Sequence, residues 1–516
     1  MYLTQGLHRA VQLTPDLPAT ICGDRVRTWR ESADRVARLA GALRGLGVTK
    51  GDRVAMLSLN SDRYHEYLLA VWWVGGAVNP VNIRWNPVEI GCSLRESETR
   101  VLLVDDLFAT HVPALRDYCP HLATVIHCGD GATPEGMTPY EELITNADPV
   151  ADLRLGGDSL AGLFYTGGTS GRPKGVMLSH ANMLVSAMGS VAQGGPAVPG
   201  GRMLHSAPLF HIAGLAAWIG QYLVGGTHVM VPAFNPVSVM KAVQEHEVTS
   251  ALMVPLMIQA LVDHPQLGSY DLSSMTTIIY GASPISEDVL TRAMKEFPAA
   301  GFTQGYGMTE LASTATLLRA EDHMAGGRLL RSAGRAATHC EVRIVDTHGN
   351  DVPRGTVGEV IVRGGHVMLG YWNDPDETAA VVRDGWMHSG DGGYMDEGGY
   401  LYIVDRIKDM IVTGGENVYS TEVENAVSQH PAVAACAVIG VPDAQWGERV
   451  HAIIVLQPGA TATAEEIRTH AKGLIAGYKA PRSCEFVEAL PISGAGKILK
   501  HELRGKYWDD SDRQVG

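Results

Sequence analysis

At 516 residues the chain is too long for one ordinary domain and suits a large α/β body with an appendage. Its 41 Lys and Arg stand against 56 Asp and Glu, a formal net charge of −15. That balance opposes general affinity for nucleic acid or anionic membrane, so a polyanionic small ligand would need a local basic pocket. The seven cysteines are scattered and odd in number, without CxxC or Cys/His ligand spacing, so spacing supports neither a disulfide framework nor a zinc site.

The N-terminal MYLTQGLHRAVQLTPD lacks an apolar core followed by a small-residue cleavage site. The most apolar stretches, such as LLAVWWVGGAV, are short and broken by glycines. A soluble cytoplasmic protein without an integral membrane segment is expected. Along the chain, short β-rich runs (RVAMLSLN at 53, TRVLLVDD at 100, THVMVP at 227, SALMVP at 250, TTIIYGAS at 276) alternate with helical patterns. Such alternation predicts crossover units and largely parallel sheets. From about Asp346 the texture changes to glycine-punctuated strands, GEVIVRG and GGYLYIVDR. After VDRIKD come a helix (STEVENAVSQH), two strands (VAACAVIGV, RVHAIIVL), another helix and a final strand into PISGAGKILK, a stretch with the size of a small α+β domain.

Between Tyr165 and His180 the chain reads YTGGTSGRPKGVMLSH. Glycines permit positive φ and close backbone approach, so successive amides can converge on phosphate oxygens. Thr166, Thr169 and Ser170 add hydroxyls, and Lys174 adds a positive charge. The stretch is no Walker loop, because Pro173 precedes Lys174 and Gly175 follows it. Apolar, strand-like flanks argue for a phosphate cradle over a mobile linker.

YTGGTSGRPKG resembles the phosphate loop of the adenylate-forming superfamily, which includes acyl-CoA synthetases, firefly luciferases and peptide-synthetase adenylation domains. Seven further motifs stand in register: PLFHIAGL at 208, YGASP at 280, QGYGMTE at 304, GWMHSGDGG at 385, DRIKDMIVTGGENVYSTEVE at 405, WGE at 446 and PISGAGKILK at 491.

The resemblance implies an α/β fold with a large N-terminal domain, residues 1–404. That domain holds parallel-rich sheets, flanking helices and a small β-barrel-like part. A small, mobile α+β domain follows at 405–516, with its hinge at Lys408. The implied reaction runs in two steps. A carboxylate attacks the α-phosphate of Mg-ATP to give acyl-adenylate and pyrophosphate, and the thiol of CoA then displaces AMP.

The implied site residues follow motif by motif. Thr166, Gly167, Gly168, Thr169, Ser170, Gly171 and Lys174 would hold the β- and γ-phosphates. Backbone at Gly281, Ala282 and Ser283 would lie along adenine, and Gln304, Gly305, Tyr306 and Gly307 would complete the nucleotide slot with Tyr306 stacked on the base. Thr309 would touch the α-phosphate, and Glu310, with Thr166, would hold magnesium, a hard cation that prefers oxygen ligands. Asp391 has an acceptor-only carboxylate suited to both ribose hydroxyls, with Arg406 a second ribose or phosphate contact. Lys497 would stabilise the charge that builds on the α-phosphate during adenylation. In the second state Gly414 and Gly415 would face the pantetheine channel, Trp386 would line it, and Lys479 and Arg482 would meet CoA phosphates.

Two departures from the family pattern are visible. Ala495 stands where the family usually has Thr before Gly-Lys, and in the loop Gly167 and Ser170 replace the usual Ser and Thr. By the same resemblance His211 would gate the acyl pocket, with Ala213, Gly214 and Tyr280 as further wall residues and Trp218 either shortening the tunnel or belonging to the core. Small apolar walls favour an extended alkyl chain or a bulky apolar acid, since burial contributes about 0.8 kcal/mol per methylene. Medium- to long-chain fatty acids are therefore the expected substrates, with aryl or arylalkanoic acids the alternative. An enzyme loading a separate carrier protein, and a luciferase-like oxygenase or inactive adenylate-binding protein, are the other classes. Acid, ATP and CoA are the expected small-molecule partners, and a homodimer is compatible with the sequence.

Overall fold

The computed structural model describes residues 1–166, 173–195, 197–492 and 498–508. The chain forms two compact units, Met1–Val342 with Val362–Met387, and Arg343–Ile361 with His388–Gly516. Among the described residues no helix is long and apolar enough to cross a membrane.

The first unit contains all five strands expected from the apolar runs before residue 300: Arg53–Leu57, Val101–Val104, Thr227–Met230, Ser250–Met253 and Thr277–Gly281. They are shared between two sheets. In the nine-stranded sheet a parallel run passes through Pro18–Cys22, Thr227–Met230, Arg202–His205, Ser250–Met253, Thr277–Gly281 and Gly301–Tyr306. Antiparallel strands close it, Arg25–Thr28 at one edge and Thr316–Leu318 with Arg335–Ala336 at the other. The eight-stranded sheet is parallel from Leu160–Thr166 through Ala77–Pro80, Arg53–Leu57, Val101–Val104 and Thr124–His127 to Thr138–Pro139. Lys174–Ser179 and Gly370–Tyr371 extend it antiparallel. Parallel strands are covered on both faces, which is why VLLV and THVM are buried at every position.

Local chemistry sets the turns between these layers. Ser179 ends one strand and caps the next helix, His180–Ala192: its side chain accepts from the Asn182 amide, and Asn182 Oδ1 accepts from the Ser179 amide. Inside the unit lies a core of rings. Trp29, Trp72, Trp218 and Tyr222 are fully buried, and Trp218 stacks on Tyr222 with centroids 5.0 Å apart. His65 and His228 pack against Trp218, and His205 hydrogen-bonds to His228 at 2.9 Å. Burial pushes His65 and His205 down to about 3, and His228 is held well below its usual value by burial and by His205.

The second unit is built on a sheet ordered Glu416–Val418, Ile411–Thr413, Gly447–Leu456, Val433–Asp443, with Ser483–Phe486 joined parallel to Gly447–Leu456. Period-two alternation supplies both faces of its long strands. Cys436, Val438, Val450, Ala452 and Ile454 point to the helices Ser420–Ser428 and Ala464–Leu474, whereas Ala437, Ile439, Val441 and Ile453 point to a second cluster that includes Leu503. Among the described residues the last strand ends at Phe486, short of PISGAGKILK, and the described part finishes with a helix, Lys500–Gly505, that supplies Leu503.

Candidate active site

Ligands of parallel sheets bind outside the carboxyl ends of the strands. In the nine-stranded sheet those ends carry three of the expected groups. His211 follows Arg202–His205 and precedes the helix Ile212–Leu223, Ala282 and Ser283 follow Thr277–Gly281, and Gly307 to Glu310 follow Gly301–Tyr306. Gly281 pairs with Gly305 across adjacent strands, and a Cβ on Gly281 would lie 2.2 Å from the Gly305 carbonyl oxygen. Only glycine allows this approach, which leaves a flat strip of backbone beside Tyr306. Ala282 continues it with a φ of +67°.

Thr166 and Lys174 face each other across the hairpin Leu160–Thr166 and Lys174–Ser179, so both ends of the glycine loop are fixed in the eight-stranded sheet. Gly167, Gly168, Thr169, Ser170 and Gly171 lie outside the described residues. The Lys174 ammonium sits 5.2 Å from the centre of the Tyr371 ring and pairs with Glu377. Tyr371 in turn donates its hydroxyl to Glu310 Oε1 at 2.9 Å, and the Met368 amide donates to the Glu310 carbonyl at 2.8 Å. One aromatic residue thus joins the loop lysine to the buried Glu310 carboxylate. Thr309 opens the single turn Thr309–Leu311.

The expected acyl-pocket residues separate into two sets. Ala213 and Ala216 lie on the less buried side of the helix Ile212–Leu223, and the ring of His211, at its N-cap, packs on Phe210 at 4.3 Å. Trp218 faces the ring core described above, and Gly214 packs on backbone, where a Cβ would come 2.4 Å from the Pro208 carbonyl oxygen. Tyr280 is buried and bonds through its hydroxyl to His323 Nε2 at 2.8 Å. Trp386, assigned from sequence to the CoA channel, is buried in the first unit with the Arg363 guanidinium 4.6 Å from its ring centre.

The second unit holds the remaining groups. Asp391 and Arg406 are register partners of one antiparallel hairpin, and Arg406 Nε reaches Asp391 Oδ1 at 2.7 Å. Asp405 accepts from the Ser420 amide at 2.6 Å, and Asp409 pairs with Arg504 at 2.6 Å, so both flanks of Lys408 are tied down. Burial, with Arg406 and Arg504 nearby, pushes Lys408 down to about 8. Gly414 has a φ of +61° and lies under the Trp446 ring, where a Cβ would come within 2.6 Å. Arg482 lies 4.3 Å from the same ring on its own account, and Gly415 is exposed with a φ of +83°. Lys479 is bound at 2.8 Å by both oxygens of Glu422, so it meets any phosphate as one half of an ion pair. Lys497 lies outside the described residues.

Sequence reasoning passed over Tyr371, Glu377 and Trp446 as individual residues. Only Trp446 stood in a quoted motif, WGE. The first two act through partners 61 and 203 positions away, a relation that local pattern does not carry.

The model of AMP-binding enzymes matches residues 7–372, and that of the AMP-binding enzyme C-terminal domain matches residues 422–497. A feruloyl-CoA synthase of Amycolatopsis sp is 40% identical over 500 residues, covering 97% of this chain and 98% of the relative. A medium/long-chain-fatty-acid–CoA ligase of Mycobacterium tuberculosis is 34% identical over 519 residues, covering 97% of this chain and 89% of the relative. The crystal structure of an anthranilate CoA ligase in complex with anthranoyl-AMP superposes with a TM-score of 0.91 at 27% identity, covering 98% of this chain and 97% of that one.

Proposed function

We propose, on the premise that this chain belongs to the AMP-binding enzyme family and is an acid–thiol ligase, that it activates an apolar monocarboxylic acid with ATP and passes the acyl group to coenzyme A. In the first step a carboxylate oxygen attacks the α-phosphorus of ATP and the bond to the β-phosphate bridging oxygen breaks, releasing pyrophosphate. In the second, the CoA sulfur, having lost its proton, attacks the acyl carbon, and AMP leaves with the electrons of the broken C–O bond.

The observation that carries this reading is the connection from Lys174 through Tyr371 to Glu310. It supports a site where a lysine meets terminal phosphates and a hard carboxylate meets a cation beside them. The Glu310 carboxylate and Thr166 hydroxyl are oxygen donors of the kind Mg2+ takes, and the ion would supply neutralisation of phosphate charge. Lys174 would exchange Glu377 for phosphate, Thr309 would donate to the α-phosphate, and the Gly281–Gly305 strip with Tyr306 would bind adenine. Asp391 would accept from the ribose hydroxyls, and Lys497 would stabilise charge on the α-phosphate. Rotation about Lys408, at the start of the proposed mobile part 405–516, would then replace Lys497 by the thiol path along Gly414 and Gly415.

For the acid, the less buried helix face of Ala213 and Ala216 supports a medium- to long-chain fatty acid. The placing of Trp218 in the ring core removes it as a plug for an extended chain. The second reading, an arylpropenoic or related aryl acid, is favoured by the 40% identity to a feruloyl-CoA synthase. A panel of fatty acids from short to long chain, with cinnamic, ferulic, benzoic and indoleacetic acids, scored by CoA-dependent AMP release, separates the two. The fatty-acid reading expects the highest kcat/KM among medium or long chains; a maximum on an aryl acid replaces it with the second reading. Absence of AMP release with every acid overturns the ligase reading itself.

A further inference from the structure

We propose that His339, Cys340 and His366 form a binding site for a thiophilic divalent cation of the Zn2+ class, separate from any magnesium held by Glu310. The three side chains belong to the first unit, and each offers a ligand atom such that all three atoms lie within 4.8 Å of one another. Around tetrahedral zinc, ligand nitrogens and sulfur stand about 3.3–3.8 Å apart, given bonds of roughly 2.0–2.3 Å, so side-chain rotation alone closes the set. Two imidazoles and a thiol select zinc-like ions over Mg2+, which takes oxygen.

The surroundings point to a ligand and not to ordinary packing. His366 is completely buried, yet among the described residues neither ring nitrogen has a hydrogen-bond partner. A buried imidazole left in that state costs free energy that metal ligation would recover. The ring of His339 meets that of His366 edge to face with centroids 4.5 Å apart. Its Nε2 bonds the Thr314 carbonyl at 2.9 Å, the backbone contact that fixes tautomer and orientation in metal-binding histidines, while Nδ1 is buried without a partner among the described residues. Cys340 Sγ lies 3.0 Å from the Ala315 carbonyl.

The backbone around the site is already held. Asn182 Nδ2 donates to the carbonyls of Gly365 and Val367, on either side of His366, at 2.9 and 2.8 Å. Gly189 leaves room for the His339 ring, because a Cβ there would fall 2.0 Å from Nδ1. Cys340 and His339 are only partly buried, which gives an ion a way in, and on binding the thiol proton passes to solvent.

The test uses the full chain stripped of metal. Titration with Co2+ reads a cobalt–thiolate absorption band, and Zn2+ is titrated against a chromogenic chelator. One cobalt–thiolate centre per chain, displaced by Zn2+, is expected. Cys340→Ser abolishes the band and weakens Zn2+ binding roughly tenfold or more, and His339→Gln weakens it similarly, with the far-ultraviolet circular dichroism of both variants unchanged. No thiolate band at one equivalent in the unaltered chain overturns the proposal without reference to any variant. A band and a zinc affinity that survive Cys340→Ser overturn it as well. Neither readout depends on ligase turnover, so the outcome stands apart from that of the acid panel.

Discussion

The two compact units handle their charged groups differently. In the first, Glu310 is buried and anchored twice, by the Tyr371 hydroxyl and through its own carbonyl by Met368, and Lys174 is braced against the same tyrosine. In the second, the groups stand on hairpins and turns: Asp391 with Arg406 across one strand pair, Gly414 under Trp446, Lys479 against Glu422. Preorganisation suits groups that must meet the same phosphates in every cycle. Gly414 and Lys479, on turns of the second unit, are the groups that the proposed two-state scheme uses in only one half of the cycle.

The sharpest way to break this comparison is a pair of substitutions in the second unit. Lys497→Ala is expected to slow adenylation on the order of 10²–10³, the scale of losing one preorganised charge-stabilising donor. With synthetic acyl-adenylate supplied, thioester formation stays near the unaltered rate. Lys408→Pro should invert the pattern, keeping adenylation and slowing thioester formation on the order of tenfold or more, because proline fixes φ at the proposed hinge. Single-turnover pyrophosphate release and acyl-CoA formation are measured separately for both. Equal loss of both half-reactions in Lys497→Ala removes the assignment of separate states.

Gly414→Ala gives a smaller effect. Alanine at a φ of +61° costs about 1–2 kcal/mol, and its Cβ displaces the Trp446 ring. The expectation is a lowered denaturation midpoint together with a thioester step slowed several-fold more than adenylation. A uniform loss in both steps would mean that the glycine serves stability alone.

Glu377→Gln is expected to have the smallest effect, in the first unit. Removing the carboxylate that competes with phosphate for Lys174 lowers the KM for ATP about two- to fivefold, in line with the 0.2–1 kcal/mol of a partly exposed ion pair. The measurement is initial rate against ATP at saturating acid and CoA. A raised KM would show that Glu377 positions Lys174 for the nucleotide.

Much of the architecture was legible because parallel strands write themselves as short continuous apolar runs, as VLLV and SALM do. The boundary was less so. By packing, residues 388–404 group with the C-terminal part, while the proposed hinge stands at 405–408, since compactness and mobility are different properties of a chain. At the candidate site, Thr166, Lys174, Thr309 and Glu310 stand in motifs that pack several polar groups into a few positions, so sequence alone could propose them. Tyr371 was not, because its role is to touch two of those groups at once. Trp218 shows the reverse: from sequence it could shorten the acyl tunnel or belong to the core, and only the helix decides, turning residue 218 away from residues 213 and 216 and into the rings. His339 and Cys340 meet His366 only through the fold, so a search by ligand spacing passes over them.

The imidazoles of His65, His205 and His228 give the first unit a characteristic response to acid. In the unfolded chain each would take a proton near 6.5, whereas in the folded state burial holds His65 and His205 to about 3 and His228 well below its usual value. Below 6.5 the unfolded form therefore binds more protons, and stability is lost as the pH falls from there toward 3. Because His65 and His228 pack beside Trp29 and Trp218, the loss is visible in the protein's own fluorescence. Acid would thus reach this protein through its core, loosening the packing of the first unit as the three rings take up protons.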